Sequence, residues 1–189
     1  MEDLAPRSHE GIKETVRKGL IIVNTGDGKG KTSAALGVVF RSLGRGFRVA
    51  MVQFIKGKWK TGEDMAAEKF AGQLELFPMG DGFTWDTQNP AQDIASAQAA
   101  WKKCEELLGD PKYQLVVFDE LNYVLSYKFL EIEPILEALK KKPPMLHVII
   151  TGRDAHPKLI EMADLVTEMK MIKHPYRDQG IKAQPGIEF

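Results

Sequence analysis

A run of glycines and lysines at residues 25–33 has the composition of a loop that binds phosphate. It reads Thr-Gly-Asp-Gly-Lys-Gly-Lys-Thr-Ser and lies between an apolar stretch and a helical pattern. Glycines let successive backbone N–H groups converge on phosphate oxygens, and the positive end of the following helix dipole adds to the attraction. Lys31 is expected to reach a phosphate and the Thr32 hydroxyl to bind Mg²⁺. The usual pattern has glycine where Thr25 stands, so the first glycine, Gly26, comes one place late.

Two acidic residues, Asp119 and Glu120, directly follow the apolar stretch Leu115–Phe118. Carboxylates at the end of such a strand lie beside a phosphate loop, where they hold Mg²⁺ directly or through water. In many ATPases the second acidic residue activates a water for attack on the terminal phosphate. The alternative is that Asp119 or Glu120 only caps the next helix.

Two arginines are candidates for contact with phosphate. Arg153 follows a later apolar stretch, in Thr151-Gly152-Arg153-Asp154, and an arginine there can steady charge on a leaving phosphate. A surface ion pair with a nearby acid explains Arg153 equally well. Arg41 falls near the end of the helix that follows the loop, and taken alone it is a solvated charge.

The segment at 79–89 holds two large aromatic residues, Phe83 and Trp85, together with two glycines. Such a loop is unusual in an ordinary ATPase. Exposed aromatic side chains on a loop indicate a flat apolar ligand or a partner. The alternative is that both rings fold into the core.

Composition excludes several classes of protein. The 189 residues suit one domain, and 26 Lys plus Arg balance 26 Asp plus Glu, so no net charge favours nucleic acid or a membrane surface. The apolar runs are too short to span a bilayer, and no signal-peptide pattern is present. The single cysteine, Cys104, continues a helical apolar stripe and is expected in the core, which suits a reducing cytoplasm. Of the scattered histidines, His147 is expected to be structural and His156 to cap a helix.

Short apolar runs alternate with helical patterns, which predicts an α/β fold: a doubly wound, mostly parallel sheet of about six strands, similar to P-loop NTPases of the RecA-like class. Residues 1–18 are polar and are predicted to be a mobile segment, ahead of a single domain at 19–189. The predicted strands are Leu20–Asn24, Arg48–Ile55, Leu74–Phe77, Gln114–Phe118, Leu146–Thr151 and Leu165–Met171. The predicted helices are Lys31–Leu43, Gly62–Ala71, Pro90–Leu108 (with Asn89 as its cap), Glu131–Lys141 and Pro157–Ala163.

These motifs together resemble one family, the P-loop type of ATP:corrinoid adenosyltransferase, which acts on cob(I)alamin or cob(I)yrinic acid a,c-diamide. The resemblance extends from about residue 18 to the last residue. It is found in Gly-Asp-Gly-Lys-Gly-Lys-Thr-Ser, Val52-Gln53-Phe54-Ile55-Lys56-Gly57, Gly82-Phe83-Thr84-Trp85-Asp86-Thr87-Gln88-Asn89, Asp119-Glu120-Leu121, Ile149-Ile150-Thr151-Gly152-Arg153 and the tail 180–189.

The resemblance implies a reaction and an unusual mode of ATP binding. The 5′-deoxyadenosyl group of ATP is transferred to the cobalt(I) of a corrinoid, with release of triphosphate, in adenosylcobalamin biosynthesis or corrinoid salvage. ATP is held in reverse, with its γ-phosphate where the α-phosphate usually lies, and the variant loop with Thr25 fits this arrangement. Cobalt(I) is itself a strong nucleophile, so no general base is needed.

The resemblance also implies a role for individual residues. Arg41 and Arg153 contact ATP, and His174 lies near the nucleotide. Phe83 and Trp85 displace the lower axial ligand of the corrinoid, so that cobalt(II) becomes easier to reduce. The residues implied to bind the phosphates are Gly26, Asp27, Gly28, Lys29, Gly30, Lys31, Thr32 and Ser33; those for Mg²⁺ are Thr32, Glu120 and Asp119; those counted as catalytic are Lys31, Glu120, Phe83 and Trp85.

The implied partners are ATP, a corrinoid, a flavoprotein reductant such as flavodoxin, and a second copy of the chain in a homodimer, with the amino-terminal segment closing over the site. Neither nucleic acid nor a membrane is expected. The first rival is a RecA-like ATPase in which Glu120 activates water; against it stands the aromatic loop. The second rival is a non-catalytic nucleotide-binding module. A GTPase is disfavoured because the sequence has no Asn-Lys-x-Asp guanine motif.

Overall fold

The computed structural model describes residues 16–55, 61–80 and 89–188. In these residues, six parallel strands form one sheet with helices on both faces, which confirms the predicted α/β class. The strands are β1 (Ile21–Thr25), β2 (Val49–Gln53), β3 (Leu74–Pro78), β4 (Leu115–Asp119), β5 (His147–Thr151) and β6 (Leu165–Glu168). The helices are α1 (Lys31–Gly44), α2 (Gly62–Lys69), α3 (Pro90–Gly109), α4 (Leu121–Ser126), α5 (Ile132–Lys141), α6 (Pro157–Met162) and α7 (Pro175–Gln179).

The strand order, β3-β2-β4-β5-β1-β6, explains which helices share a face. From β1 through β2 to β3 the chain moves towards one edge of the sheet, and from β3 through β4 and β5 to β6 it moves towards the other. Because crossovers between parallel strands are right-handed, the two runs place their helices on opposite faces. Helices α1 and α2 therefore cover one face, and α3 to α6 cover the other.

Each face has its own core because alternate strand residues point to opposite sides. On the first face, Val39 of α1 packs with Met51 and Val117. On the second, the ring of Trp101 meets Phe118 edge-on, with 6.0 Å between ring centroids. Strands β2 and β4 are buried along their whole length, as expected for central parallel strands. The last residues of these two strands, Gln53 and Asp119, lie at the same edge of the sheet.

Several local predictions are confirmed. Asn89 caps α3 by accepting a hydrogen bond from the Gln92 N–H (3.3 Å), and Pro90 occupies the first turn. Cys104 is buried in the core. His147 is structural, since its Nδ1 accepts from the Leu20 N–H (3.1 Å), and His156 caps α6 by accepting from the Lys158 N–H (3.2 Å).

The clearest differences from the predicted elements are four. Strand β2 ends at Gln53 and β6 at Glu168, each earlier than predicted, and the short helices α4 and α7 were not predicted. Beyond Glu168 the chain leaves the sheet because the Met169 carbonyl pairs with Gly28 in the phosphate loop. Among the helices the structure describes, none is long and apolar enough to cross a membrane. The amino-terminal residues 1–15 and the aromatic residues Phe83 and Trp85 lie outside the described residues.

Candidate active site

The glycine loop begins where β1 ends, and the end of β1 explains the unusual position of its first glycine. Thr25 is still a strand residue, buried, with its hydroxyl accepting from the Ala155 N–H (3.1 Å). The left-handed turn therefore starts one residue later, at Gly26, where φ is 94°. The loop ends at Gly30, the cap of α1, where φ is 108°. Both conformations favour glycine, since side chains with a Cβ rarely adopt them.

The segment that follows β6 forms one wall of the loop. The Gly28 N–H donates to the Met169 carbonyl (2.7 Å), and the Met171 N–H donates to Asp27 Oδ1 (3.2 Å). A Cβ on Gly28 would lie 2.7 Å from the Met169 oxygen, and one on Gly26 would lie 2.5 Å from it. The close packing of two backbones thus requires glycine at both positions. The Gly28 N–H therefore donates to the Met169 carbonyl and is not directed at a phosphate.

The opening of α1 supplies the backbone donors for an anion. The first N–H groups of a helix have no acceptor within the helix. In α1 the first hydrogen bond to the cap runs from Ala34 N–H to the Gly30 carbonyl (2.8 Å). The N–H groups of Lys31, Thr32 and Ser33 precede it and open at the positive end of the helix dipole. This is the geometry that phosphate binding needs.

Lys31 is buried on the loop itself. Its ammonium donates to the carbonyl oxygens of Gly26 (2.9 Å) and Gly28 (2.7 Å), and the side chain heads the buried stripe of α1. Burial lowers the pKa of Lys31, an effect that the nearby Glu120 opposes. An ammonium group has three donors, so the two loop carbonyls leave one N–H for a phosphate oxygen. The loop therefore aims the charge of Lys31 before any ligand arrives.

Asp119 joins the loop to the end of β5 through a pair of hydroxyl groups. Its Oδ1 accepts from the Thr32 hydroxyl (2.9 Å) and from the Thr151 hydroxyl (2.7 Å). Thr151 in turn accepts from the Glu120 N–H (2.9 Å). Because the hydroxyl proton of Thr32 points at Asp119, the oxygen of Thr32 presents its lone pairs away from that carboxylate.

Glu120 has a strained backbone and a strongly altered acidity. Its φ is 63°, in the left-handed region that residues with a Cβ seldom occupy. It stands before α4, but its side chain makes no capping hydrogen bond, so the capping alternative does not account for it. Burial, and then the charge of Asp119, raise the pKa of Glu120 to about 7, while Lys31 and Arg153 act in the opposite direction.

The other residues predicted to contact ATP are Arg153, His174 and Arg41, and they lie in different parts of the fold. Arg153 is exposed and close enough that its charge acts on Lys31 and Glu120. His174 caps α7 by accepting from the Arg177 N–H (3.2 Å), shortly after the segment that lines the loop. Arg41 is exposed in the last turn of α1, about ten residues and about 15 Å along the axis from Lys31. A single chain therefore does not bring Arg41 to the loop.

A contact that the sequence did not indicate ties the loop to the tail of the chain. The ammonium of Lys29 lies 2.6 Å from Glu188 Oε2. Lys29 belongs to the predicted phosphate ligands, so a phosphate bound to Lys29 would compete with the Glu188 carboxylate. No local pattern could reveal the pair, because the two residues come from opposite ends of the chain.

The residues at this edge of the sheet fit a Mg²⁺ ion held jointly with a nucleotide. Magnesium in such sites takes one or two carboxylates and keeps waters and phosphate oxygens as its other ligands. No group of three or more acidic, histidine or cysteine residues gathers anywhere in the described ranges, so these residues offer only part of a shell. Beside Asp119 in the sheet, the buried Oε1 of Gln53 has no hydrogen-bond partner, and a metal-bound water would satisfy it.

Most of the predicted ligands therefore converge. The phosphate loop, Asp119, Glu120 and Arg153 meet at the carboxyl edge of the sheet, whereas Arg41 does not, and Phe83 and Trp85 lie outside the described residues. Thr151 and Gln53 were missed as functional candidates. Each is the last residue of a strand, carries a polar side chain and stands in a segment that resembles the family, and these are the signals that the sequence offered.

A family model and several relatives of known name point to the same family. A family model described as "ATP:corrinoid adenosyltransferase BtuR/CobO/CobP" matches residues 17–189. A corrinoid adenosyltransferase of Sinorhizobium is 50% identical over 178 residues, covering 93% of this chain and 83% of the relative. One from Pseudomonas aeruginosa is 49% identical, with coverage of 91% and 84%. The corrinoid adenosyltransferase CobA of Salmonella typhimurium is 44% identical, with coverage of 91% and 86%.

Proposed function

The chain belongs to the ATP:corrinoid adenosyltransferase family, and from that premise we propose that it transfers the 5′-deoxyadenosyl group of ATP to the cobalt(I) of a corrinoid. It is an enzyme, and it serves adenosylcobalamin biosynthesis or corrinoid salvage. The observation that supports this most is the family match itself, because residues 17–189 include the glycine loop, Asp119, Glu120 and the loop-lining segment after β6.

The bond that breaks joins C5′ of the ribose to the oxygen of the α-phosphate, and the bond that forms joins C5′ to cobalt. The electron pair comes from cobalt(I), and triphosphate leaves with the electrons of the C–O bond. The protein must bring C5′ into line with cobalt, an advantage of about 7–11 kcal/mol in favourable systems. It must also stabilise the charge on triphosphate, which is the task proposed for Lys31 and the first N–H groups of α1.

The chain's acidic and hydroxyl groups are proposed to hold Mg²⁺ against the phosphates, with Thr32 and Glu120 as ligands and Asp119 binding directly or through water. When bound, the ion would neutralise charge on the triphosphate oxygens. Thr32 is suited to this role because its proton is held by Asp119. The high pKa of Glu120 matters as well, since a cation beside it would favour the carboxylate that its burial disfavours.

Further contacts with ATP are proposed for Arg153, His174 and Arg41. Arg153 is the best supported, because its charge already acts on both Lys31 and Glu120. For Arg41 the position at the far end of α1 leaves two routes: a contact across a dimer, or none. We also propose that the enzyme is a homodimer whose amino-terminal segment closes over the site, and that it works in the reducing cytoplasm, where the buried thiol of Cys104 persists.

Phe83 and Trp85 are proposed to displace the lower axial ligand of the corrinoid. A four-coordinate cobalt(II) is easier to reduce, so a flavoprotein such as flavodoxin would then supply the electron. The proposal rests on the composition of the loop, which lies between β3 and α3 in the sequence. If the two rings act in this way, Phe83→Ala and Trp85→Ala impair the assay that starts from cobalt(II) and spare much of the assay that starts from cobalt(I). Equal loss in both assays, in variants that melt like wild type, would count against the role.

The phosphate product tests the proposed function directly. Purified protein is incubated with ATP, Mg²⁺ and chemically reduced corrinoid, and the nucleotide products are separated by anion-exchange chromatography. Triphosphate should appear in equal amount to adenosylated corrinoid. Production of ADP and inorganic phosphate at the matching rate would instead identify a hydrolase in which Glu120 activates water.

A further inference from the structure

We propose that Thr151 is a positioning residue for the Mg²⁺–ATP half of the site, acting through Asp119 and the backbone of Glu120. The proposal rests on the proposed function, because it concerns how the same site holds its nucleotide. Thr151 lies in the segment that carries Arg153, but the sequence analysis gives its own side chain no role in phosphate or metal binding. Its position at the end of β5, between the glycine loop on β1 and the acidic pair on β4, is the reason to consider it.

The hydroxyl of Thr151 both donates and accepts a hydrogen bond within the site. It donates to Asp119 Oδ1 at 2.7 Å and accepts from the Glu120 N–H at 2.9 Å. The residue is completely buried. A buried hydroxyl that both donates and accepts a hydrogen bond is held in one orientation. It therefore fixes the carboxylate of Asp119 on one side and the backbone of Glu120 on the other.

Through Asp119, this orientation reaches the phosphate loop. The same oxygen of Asp119 also accepts from the Thr32 hydroxyl at 2.9 Å. Turning Asp119 away would free the Thr32 proton to point at the place where a cation would stand. Thr151 therefore acts on Thr32 through the Asp119 carboxylate. It controls whether the Thr32 oxygen presents a lone pair or its proton to a cation.

Through Glu120, the same hydroxyl supports a costly backbone conformation. Glu120 adopts a φ of 63°, in the left-handed region that a residue with a Cβ occupies only where its surroundings enforce it. Thr151 bonds the N–H of that residue, and its neighbour Gly152 leaves the room for it. A Cβ on Gly152 would lie 3.1 Å from Glu120 Oε2 and 2.9 Å from the Asn122 Cβ. The pair Thr151-Gly152 thus shapes the place of the Glu120 carboxylate.

The test compares two substitutions that differ in the hydroxyl. Thr151→Val keeps the shape and removes the hydroxyl; Thr151→Ser keeps the hydroxyl and removes a methyl group. The matched control is Thr167→Val on the edge strand β6, where the side chain is exposed. For each protein, isothermal titration calorimetry gives the dissociation constant of ATP in EDTA and in excess Mg²⁺. The ratio of the dissociation constant in EDTA to that in excess Mg²⁺ measures how much the metal contributes to ATP binding. This measurement does not require turnover.

Thr151→Val should reduce this ratio roughly tenfold relative to wild type, the usual effect of losing a group that orients a metal ligand. Thr151→Ser and Thr167→Val should stay within about twofold of wild type, a difference of under about 0.5 kcal/mol. A general loss of stability would lower the melting temperature of Thr151→Val without changing the ratio, and this result would overturn the proposal. So would a wild-type ratio of one.

If Thr151→Val does not fold, Thr151→Cys replaces it, since a thiol has nearly the same bulk but is a weak donor. The expected ratio then lies between those of wild type and a protein without the hydroxyl, and a ratio equal to wild type overturns the proposal. The chromatographic product assay on wild type is run in parallel. If wild type makes no triphosphate in this assay, the proposed function is refuted. The role of Thr151 is then judged from the ratio of the ATP dissociation constants alone.

Discussion

At the scale of single residues, Glu120 links the site to the stability of the whole chain. The carboxyl has an ordinary pKa of 4.5 and a folded pKa of about 7. Between these values the folded state keeps a proton that the unfolded state has released. The free energy of unfolding contributed by this group therefore falls as the pH rises from about 4.5 to 7, and the cost stays at its full value above that range.

Replacing the carboxyl by an amide of the same shape should remove this cost. In EDTA at pH 8, Glu120→Gln should be more stable than wild type by up to about 3 kcal/mol, and the gain should vanish near pH 4.5. Denaturant unfolding followed by circular dichroism across pH 4.5–8 measures the difference. Glu161→Gln, an exposed change on α6, is the control and should stay within about 0.5 kcal/mol at every pH. A pH-independent gain in Glu120→Gln would mean that the carboxyl titrates normally.

The sequence indicated Lys31, Asp119 and Glu120 as members of the candidate site, but not Thr151 or Gln53. Lys31, Asp119 and Glu120 belong to patterns whose spacing relative to a strand and a helix is restrictive. Thr151 and Gln53 are single polar residues at strand ends, and nothing local separates them from the many such residues that only end a strand. Their importance follows from which strands are neighbours, and the order of strands is not written in any local stretch of sequence.

At the scale of elements, the packing of the glycine loop against the segment after β6 makes Gly28 sensitive to the smallest side chain. A Cβ there would lie 2.7 Å from the Met169 oxygen and 2.8 Å from the Lys170 carbonyl carbon, both backbone atoms. Gly28→Ala should therefore push the two segments apart, lower stability by about 1–3 kcal/mol and weaken ATP binding. Thermal unfolding with and without Mg²⁺–ATP measures both effects.

The control for this change lies on the helix that follows. A Cβ on Gly37 would meet nothing within 4 Å, and the residue is exposed in the interior of α1. Gly37→Ala should stabilise the protein by up to about 1 kcal/mol, because alanine favours the helix more than glycine does. Similar stability changes in the two variants would contradict the tight contact at Gly28.

Long elements were predicted more accurately than short ones. Helices α1, α3 and α5 have enough turns to show a periodic apolar face, and all six strands have apolar runs. Helix α4 begins at Leu121, directly after Glu120, whose left-handed backbone matches no capping pattern, and α7 has only five residues. Strand β6 was predicted too long because Met169 continues the apolar pattern while its carbonyl turns to Gly28.

At the scale of the whole molecule, the ion pair between Lys29 and Glu188 joins the loop to the tail. If Lys29 binds phosphate as the family resemblance implies, the nearby carboxylate repels that ligand. Glu188→Gln should therefore tighten ATP binding about two- to fivefold at low salt, with less effect at high salt, since exposed pairs contribute up to about 1 kcal/mol and are screened. Fluorescence titration with a labelled ATP analogue at two salt concentrations measures this change.

A similar pair elsewhere serves as the control. Lys158 and Glu133 lie 2.7 Å apart, on α6 and α5, and neither belongs to the site. Glu133→Gln should leave ATP binding unchanged. Weaker binding in Glu188→Gln would mean that the tail holds Lys29 in place for the phosphates and does not compete with them.

The contact between the loop and residues 169–171 also determines when a newly made chain can first bind nucleotide. A ribosome makes the chain from its amino terminus, so residues 26–33 emerge long before the segment that lines them exists. Until Met169 has been made, the Gly28 N–H lacks its acceptor and β1 lacks its neighbour β6. We therefore expect ATP to bind tightly only to chains whose synthesis has passed this segment. By mass action it would favour their folded state while giving no help to truncated chains.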